Sequence, residues 1–384
     1  MFSKKHSRGE MSDKIKIGMI GLGRISTLHL PAYRPENNLD AELVAVCDKN
    51  KKRAQQVAKD YNVENVYTNY EDLLANTELD AVEILTPHQL HAKQTIKAAE
   101  AGKHISLQKV PSLTLTDMDK MIETTNKNRV KFRIFENFRF YPPYQFAMDL
   151  IKQGVIGKTE RIDYRMWMAL NALSEWEVPL SAWTWRFSEE GNYNSPTLFD
   201  DGYHKHSIIS QFLGQPIDSV LAWQGDFRIQ GVIKHDTPSV VIYSCKDKSH
   251  FATWSASLHK FIPLESEYYA CDEYVEIIGE KGAIFIPGCT GSFFESCGDS
   301  APGQAGVHWV DENGDWHSKS DMETDWASSF LNCSREFIEG IKEDRKIELN
   351  PKEARYILQI GLAIIRSVRN KFKEIKVKDV KDSP

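Results

Sequence analysis

The chain has 384 residues, of which 41% are hydrophobic and 27% are charged, and its net charge is −6 at pH 7. This length allows two domains that each bury a core, and the composition is that of an ordinary globular protein. The negative charge argues against non-specific binding of nucleic acid, which needs a basic surface. No run approaches the roughly 20 apolar residues of a membrane-spanning helix.

The N-terminus and the cysteines indicate the cellular compartment of the protein. Residues 1–13 are polar and lack the apolar centre of a secretory signal, so we expect a polar N-terminal lead. The six cysteines form no C-x-x-C pair and have no metal-ligand spacing. We therefore expect a cytoplasmic protein with reduced thiols and no metal site.

A dinucleotide-binding turn is predicted near the start of the chain. The apolar run 15–20 predicts a buried parallel strand, and Gly21-Leu22-Gly23-Arg24-Ile25-Ser26 follows it in the form G-x-G-x-x-S. In such turns the first glycine permits the bend, the second lets the backbone approach a pyrophosphate, and a small third residue lets the helix pack closely. The start of the helix would face the phosphates. A glycine-rich turn alone is weak evidence, but here a strand precedes it and a helix follows it.

An acidic residue ends the next predicted strand. The apolar run 43–47 leads to Asp48, whose carboxylate can accept hydrogen bonds from ribose hydroxyls and would repel a 2′-phosphate. Four basic residues follow it: Lys49, Lys51, Lys52 and Arg53. Their positive charges would attract a 2′-phosphate, although most of these side chains would lie on the solvated face of a helix. The sequence therefore favours NAD and leaves NADP open.

Strand and helix patterns alternate as far as residue 136. Further strands are predicted at 81–85, 104–107 and 131–135, and further helices at 49–61, from 70, around 92–99 and from 116. Gly102 is expected to cap the end of one helix. This alternation is typical of a doubly wound parallel sheet. We therefore predict a dinucleotide-binding Rossmann domain at 14–136.

The pattern changes beyond residue 136. Long alternating runs predict large antiparallel strands at 159–168, 219–227, 239–247, 250–258 and 273–286, and helices are predicted near 143–154, 323–343 and 352–371. The segment between Leu170 and Tyr203 is interpreted as an irregular, Trp-rich insertion. We predict an α+β domain at 137–384, built on a large, mostly antiparallel open sheet, that binds substrate. Its open face needs a partner, so we expect a homo-oligomer, a dimer or a tetramer.

Four motifs in order resemble one known family. Besides the glycine turn, Asp80–Pro87 with His91 resembles a D-x-V-x-I-x-T-P-x-x-x-H segment, 102–109 resembles G-K-H-V-x-x-E-K-P, and 198–204 resembles the segment around D-x-G-x-H. Together they are similar to the glucose–fructose oxidoreductase/inositol dehydrogenase (Gfo/Idh/MocA) family over nearly the whole chain. The resemblance implies oxidation or reduction of a secondary alcohol on a sugar or cyclitol.

The chain departs from the family pattern near two of these motifs. Gln108 stands in place of the glutamate, and Val110 in place of the proline, which comes one residue later as Pro111. The glycine run before the aspartate is replaced by the segment 192–196. These changes leave the backbone geometry around Lys109 open.

The resemblance implies a catalytic lysine at Lys109, a carboxylate at Asp200 and a histidine at His204. Hydride transfer from a carbinol carbon requires a base for the hydroxyl proton, and histidine has a suitable intrinsic pKa. Asp200 lies four residues before His204, so on a helix it could hold the imidazole or bind a substrate hydroxyl. Lys109 ends a parallel strand, where ligands bind, and could share or relay the proton. Without the family context, the acid and histidine would be an ordinary helix-start pair and the lysine a solvated one.

The motifs also give candidate binding residues. Cofactor contacts are expected from Gly21, Gly23, Arg24, Ile25, Asp48, Thr86, Pro87, His91 and Gln108. Substrate contacts are expected from His88, Asn137, Arg139, Trp185 and His206. For His91 a structural role is the alternative, for His88 and His206 a solvent-facing one. Trp176, Trp183 and Trp185 could wall a sugar pocket or belong to the core.

We therefore predict an NAD-dependent oxidoreductase that acts on a sugar, sugar derivative, glycoside or cyclitol. One alternative keeps the site but recycles a tightly bound NAD, which gives net glycoside cleavage, elimination or epimerisation. The other is a non-catalytic NAD-binding sensor. The joint presence of Lys109, Asp200 and His204 argues against a sensor, which needs no proton-transfer set.

Overall fold

The computed structural model describes residues 14–169, 173–174, 185–229, 233–259, 265–266, 271–288 and 305–384. The predicted polar lead at 1–13 and any role of Trp176 and Trp183 lie outside these ranges. None of the helices within them is long and apolar enough to cross a membrane.

Six parallel strands form the first sheet. They are β1 (Ile15–Ile20), β2 (Ala41–Cys47), β3 (Asn65–Tyr67), β4 (Ala81–Ile84), β5 (His104–Gln108) and β6 (Phe132–Phe135). Their order in space is β3-β2-β1-β4-β5-β6, and every neighbouring pair is parallel. The strand order reverses between β1 and β4, where open α/β sheets bind their ligands. The predicted doubly wound sheet is confirmed.

Helices join the strands of this first sheet. They are α1 (Ser26–His29), α2 (Lys51–Asp60), α3 (Tyr70–Leu74), α4 (His88–Glu100) and α5 (Leu115–Lys127), with 3₁₀ turns at Leu30–Tyr33 and Pro35–Asn37. The side chains of Asn50, Asn69 and Thr114 cap α2, α3 and α5, because each accepts a hydrogen bond from a backbone N–H of the first turn. Gly102 follows α4 with a φ of +72°, the conformation that favours glycine after a helix.

The second sheet is large and mixed. Its strands are β7 (Thr159–Ala169), β9 (Ile217–Gln224), β12 (Ser239–Cys245), β13 (Phe251–His259), β15 (Cys271–Gly279), β16 (Ala283–Pro287), β17 (Val307–Val310), β18 (Trp316–Lys319) and β19 (Ile375–Lys376). Two short pairs stand apart: β8 (Leu173–Ser174) with β14 (Glu265–Ser266), and β10 (Phe227–Ile229) with β11 (Ile233–His235). The order of the large sheet is β18-β17-β16-β15-β7-β13-β12-β9-β19. This confirms the predicted large, mostly antiparallel sheet.

Three details of this sheet differ from the sequence prediction. The run 273–286 is a hairpin of β15 and β16 rather than one strand, because the chain turns between Gly279 and Gly282. The run 219–227 covers β9 and the start of β10. The neighbours β7 and β13 are parallel, whereas all other pairs of the large sheet are antiparallel. Alternation in a sequence gives the buried face of a strand but not the direction of its neighbour.

Helices of the second half pack on this sheet and reach back to the first. They are α6 (Pro142–Lys152), α7 (Glu189–Asn192), a π-helical segment (Pro196–Asp201), α8 (Gly202–Leu213), α9 (Ser328–Lys342) and α10 (Pro351–Arg369), with 3₁₀ turns at Asn137–Phe140 and Val377–Asp379. The π segment runs directly into α8, whose side chains are almost all buried. The backbone N–H groups of Thr197 and Leu198 donate to the buried carboxylate of Asp236, which fixes the start of the π segment.

Candidate active site

The glycine turn has the geometry that a dinucleotide needs. Gly21 has a φ of +92°, and a Cβ there would lie 2.9 Å from the Thr86 methyl group, so only glycine fits. A Cβ on Gly23 would meet nothing within 4 Å, which leaves room for a pyrophosphate beside the backbone. Ser26 is buried, and its hydroxyl donates to the Gly23 carbonyl at 2.7 Å. Arg24 and Ile25 lead from the glycines into α1.

The helix after this turn is short. It is a single turn, because Pro31 cannot donate a backbone hydrogen bond and a 3₁₀ turn follows. The backbone N–H groups of Ser26, Thr27 and Leu28 donate to carbonyl oxygens three residues earlier, so the open backbone beside Gly23, rather than a long helix dipole, is what the turn offers to a phosphate.

Asp48 links the end of β2 to the glycine turn. Its carboxylate accepts hydrogen bonds from the backbone N–H of Leu22 at 2.9 Å and of Asn50 at 2.7 Å. The Arg53 guanidinium lies 3.2 Å from the same carboxylate and is about half exposed. Asp48 is thus buried at the position where a ribose would bind. Of the basic run, Arg53 alone forms an ion pair with Asp48 in the described residues, and the lysines are exposed.

Lys109 and Asp200 form a buried ion pair where the two halves of the protein meet. The Lys109 ammonium donates to a carboxylate oxygen of Asp200 at 2.7 Å and to the Asp200 carbonyl at 3.0 Å. Lys109 follows directly on β5, and Asp200 lies in the π segment before α8. The peptide bond from Lys109 to Val110 is cis.

Asp200 has further polar partners. The Arg186 guanidinium lies 3.2 Å from its carboxylate, and the Asn192 amide donates to it at 3.3 Å. Burial alone would raise the pKa of Asp200, but the charges of Arg186 and Lys109 outweigh it and hold that pKa below its ordinary value. Asp200 is therefore an ionised carboxylate between two cations.

His204 is held by a different carboxylate from the one expected. Its Nδ1 lies 2.7 Å from Glu136, which follows directly on β6, and both side chains are buried. Asp200 pairs with Lys109 instead. Asp200 and His204 do not share a regular α-helical face, because Asp200 lies in a π-helical turn, where the hydrogen-bonding period is five residues. Burial lowers the pKa of His204, and Glu136 opposes this effect.

Residues around the end of β5 support the position of Lys109. Gln108 accepts a hydrogen bond from the Lys109 backbone N–H at 2.7 Å, and its amide nitrogen lies 3.0 Å from Nε2 of His29. His88 lies 3.7 Å from the Asp200 carboxylate, and its Nε2 accepts from the Val110 N–H at 3.3 Å. Burial lowers the pKa of His88 to about 3, so this imidazole is neutral.

His91 contacts the backbone just beyond the ends of β4 and β5. Its ring nitrogens lie 2.7 Å from the carbonyl oxygen of Thr86 and 2.8 Å from that of Val110. Thr86 and Pro87 lead from β4 into α4. Burial lowers the pKa of His91 to about 4. These contacts fit the structural alternative for His91, since both partners are backbone carbonyl oxygens.

The expected substrate residues divide into two groups. His88 lies beside Lys109 and Asp200, and Trp185 packs edge-on against it with the ring centres 4.9 Å apart. The other three make their contacts elsewhere. Asn137 donates to a hydroxyl of α9, and His206 contacts a tyrosine hydroxyl in the core. Arg139 forms ion pairs with Glu348, in the loop before α10, and with Glu353, in the first turn of α10.

Three polar residues of this cluster were missed by the sequence analysis: Glu136, Arg186 and Asn192. Glu136 carries the one usable signal, since it stands at the carboxyl end of a predicted parallel strand. Arg186 and Asn192 reach Asp200 from a segment without a recognisable period. Among the described residues, no cluster of histidine, cysteine and acidic side chains could hold a metal ion.

Comparisons with known proteins agree with this architecture. Residues 15–136 match the family model GFO_IDH_MocA, described as an oxidoreductase family with an NAD-binding Rossmann fold. A myo-inositol 2-dehydrogenase of Thermotoga maritima is 24% identical over 369 residues, which cover 95% of this chain and 99% of that protein. A D-glucoside 3-dehydrogenase of Escherichia coli is 29% identical over 206 residues, 53% of this chain and 56% of that protein.

Solved structures have the same fold over nearly the whole chain. A probable dehydrogenase from Thermotoga maritima superimposes with a TM-score of 0.75 at 23% identity, covering 95% of this chain and all of that one. The scyllo-inositol dehydrogenase of Lactobacillus casei with bound NAD(H) and scyllo-inositol gives a TM-score of 0.73 at 21% identity, with 95% and 100% covered. The four motifs, the family match over residues 15–136 and the fold over nearly the whole chain make this protein similar to the Gfo/Idh/MocA family of NAD-binding oxidoreductases.

Proposed function

We propose that the protein is an NAD-dependent dehydrogenase that transfers a hydride between a secondary alcohol and nicotinamide. The substrate is a sugar, sugar derivative, glycoside or cyclitol, as the names of its relatives suggest. The observation that carries the proposal is the buried Lys109–Asp200 pair, at 2.7 Å. Lys109 follows the carboxyl end of the parallel strand β5 and interacts electrostatically with His204. Ligands of open α/β sheets bind at this edge.

The glycine turn and Asp48 would hold the cofactor. Gly21 and Gly23 leave room for the pyrophosphate, and Asp48 would accept hydrogen bonds from the adenosine ribose. Bound there, NAD would supply the acceptor for the hydride of the carbinol carbon. NAD is preferred over NADP because Asp48 disfavours a 2′-phosphate, although Arg53 reduces this repulsion.

Three side chains would handle the hydroxyl proton. His204 is the general base: its Nδ1 is engaged by Glu136, so Nε2 is the ring nitrogen that takes the proton. The Lys109 ammonium donates a hydrogen bond to the same substrate oxygen and stabilises the negative charge that develops there. Asp200 orients Lys109 and balances its charge. His88 and Trp185 line the substrate side of this pair.

Two wider features belong to the same proposal. The chain divides into a dinucleotide-binding part at 14–136 and a part at 137–384 that binds substrate and forms a homo-oligomer.

The surface for the homo-oligomer is an exposed apolar patch of the large sheet. Trp223, Ile242 and Phe251 lie on neighbouring strands of this sheet, and each residue is 38–42% exposed. A second copy of the chain would cover them. Light scattering that shows a monomer at micromolar concentration contradicts this.

A substrate panel tests the proposed activity. The protein is mixed with NAD and candidate sugars, glycosides and cyclitols, and the absorbance of reduced nicotinamide is followed. Accumulation of reduced cofactor with one substrate class supports a dehydrogenase. Turnover without net release of reduced cofactor would favour the redox-neutral alternative, and NAD binding without any turnover would favour a sensor.

A further inference from the structure

Glu136 is a buried carboxylate with a specific partner. It follows the last strand of the parallel sheet, is 1% exposed, and lies 2.7 Å from Nδ1 of His204. The same carboxylate oxygen, Oε1, accepts a hydrogen bond from the backbone N–H of Phe138 at 3.2 Å, which holds the side chain in place. The Phe138 ring packs on the imidazole with the ring centres 4.4 Å apart. The orientation of His204 is thus set from two sides.

The hydrogen bond determines which nitrogen carries the proton. A carboxylate can only accept, so the neutral imidazole has its proton on Nδ1 and its lone pair on Nε2. Carboxylate, imidazole and a reacting hydroxyl have this relation in other enzymes, where the carboxylate fixes the tautomer and stabilises the imidazolium.

Several charged groups surround His204. Lys109 lies at the end of β5, and Lys205 and His206 lie on α8 with His204 itself. Burial, Lys109 and Lys205 lower the pKa of His204, whereas Glu136 raises it. Glu136 therefore opposes the burial and the neighbouring cations that disfavour the charged form of His204.

We propose that Glu136 is a positioning residue that keeps His204 in the Nδ1–H tautomer and stabilises its imidazolium during turnover. This inference rests on the proposed dehydrogenase function. In the oxidation the substrate O–H bond breaks and its proton moves to Nε2, while the hydride goes to the cofactor, so the alcohol becomes a carbonyl. The positive charge that forms on the imidazole lies against the Glu136 carboxylate.

Glu136→Gln tests this inference, because it keeps the volume and the acceptor for Phe138 but removes the charge. The amide can also donate to Nδ1, which would put the imidazole proton on Nε2. We expect kcat to fall on the order of a hundredfold or more, while the affinity for NAD stays at the parental value. The rising limb of the pH–rate profile should move to lower pH by about one unit, because the pKa of His204 falls.

Glu136→Asp is the conservative variant. It retains the charge and should keep the rising limb within a few tenths of a pH unit of the parent and restore most of the rate. Glu348→Gln makes the same chemical change at a partly exposed carboxylate that pairs with Arg139, and should leave the profile unchanged.

A proton NMR titration of the His204 ring provides a readout without substrate. It should show a lower pKa in Glu136→Gln than in the parent. An unchanged histidine pKa and an unchanged limb would overturn the role of Glu136, even if the parent is an active dehydrogenase. Absence of turnover in the parent would instead overturn the proposed function, and the titration would still measure the effect of Glu136 on His204.

Discussion

Two buried lysines pair with the neighbouring carboxylates Asp200 and Asp201, just before α8, in contrasting ways. Lys109 pairs with Asp200 at 2.7 Å, and 9% of its side chain is exposed, at the edge where ligands bind. Lys205 is fully buried between Asp201, at 3.1 Å, and Glu273 on β15, and its ammonium lies 4.6 Å from the centre of the Phe138 ring. Both are lysine–carboxylate pairs, but only the first lies at the carboxyl end of a strand of the parallel sheet.

The difference shows what separates a reactive pair from a structural one. Burial alone would lower the pKa of Lys205, but Asp201 and Glu273 raise it above its ordinary value, so this lysine is a permanent cation that joins α8 to the large sheet. Lys109 and Asp200 instead come from the end of β5 and the π segment, and the partial exposure of Lys109 is what would let a substrate oxygen reach the ammonium. The sequence neighbours Asp200 and Asp201 thus serve the two lysines separately.

The largest expected effect is on the chemistry of Lys109. Lys109→Ala should lower turnover on the order of a hundred- to ten-thousand-fold, because the developing charge loses its donor. Calorimetry should show NAD binding at the parental affinity, since Lys109 is not part of the glycine turn. Lys103→Ala is a matched control: this buried lysine precedes the amino end of β5 and donates to the carbonyl of Leu79, so its loss should leave kcat unchanged.

Lys205 should affect stability more than chemistry. Lys205→Ala leaves Asp201 and Glu273 without their cation, and we expect the free energy of unfolding to fall by about 3–5 kcal/mol. Urea unfolding measures this, with Lys352→Ala as the control at an exposed lysine. A loss below about 1 kcal/mol would mean that the Lys205 cluster is not a structural pair of the kind described here.

A smaller effect is expected at the cofactor turn, away from both lysines. Asp48→Ala should shift the ratio of the NAD and NADP affinities toward NADP by roughly tenfold, about 1.4 kcal/mol, because the carboxylate that favours the ribose diol is lost. Arg53 would then face the 2′-phosphate without its ion pair. Calorimetric titration with both cofactors checks this. As a control, Asp60→Ala, on the same helix α2 as Arg53, should leave the ratio of the two affinities unchanged. A parent that already prefers NADP would contradict the role of Asp48.

The smallest effect is expected at Gln108. Gln108→Glu restores the carboxylate of the family pattern and adds a negative charge next to Lys109 and His29. A nearby negative charge raises the pKa of a base, so the rising limb of the pH–rate profile should move upward, by less than one unit. Because the Gln108 side chain points to the Lys109 backbone and His29, kcat at the plateau should change little. A downward shift would contradict this.

The sequence predicted the parts of this protein that depend on local pattern. The Rossmann strands are short apolar runs between glycines and prolines, and the glycine turn, Asp48, Lys109, Asp200 and His204 stand in recognisable motifs. The parallel pairing of β7 with β13 and the hairpin at 279–282 depend on distant neighbours, so the pattern of one strand could not give them.

Long-range contacts also explain what was missed in the site. Glu136 reaches His204 across 68 positions, and Lys109 reaches Asp200 across 91. The sequence analysis assigned Lys109 and Asp200 to one site only because the family resemblance implies a role for both. The π turn before α8 separates Asp200 from His204, and no propensity rule would have located it.

A double-mutant cycle of Lys109→Ala and His204→Ala tests the central claim most directly. Turnover of the parent, both single variants and the double variant is measured on the substrate that the panel identifies. If the two residues act as one proton-transfer set, the double variant should be about as slow as the slower single variant, with NAD binding unchanged in all four proteins. Near-parental turnover in either single variant, or losses that multiply in the double variant, would contradict the account.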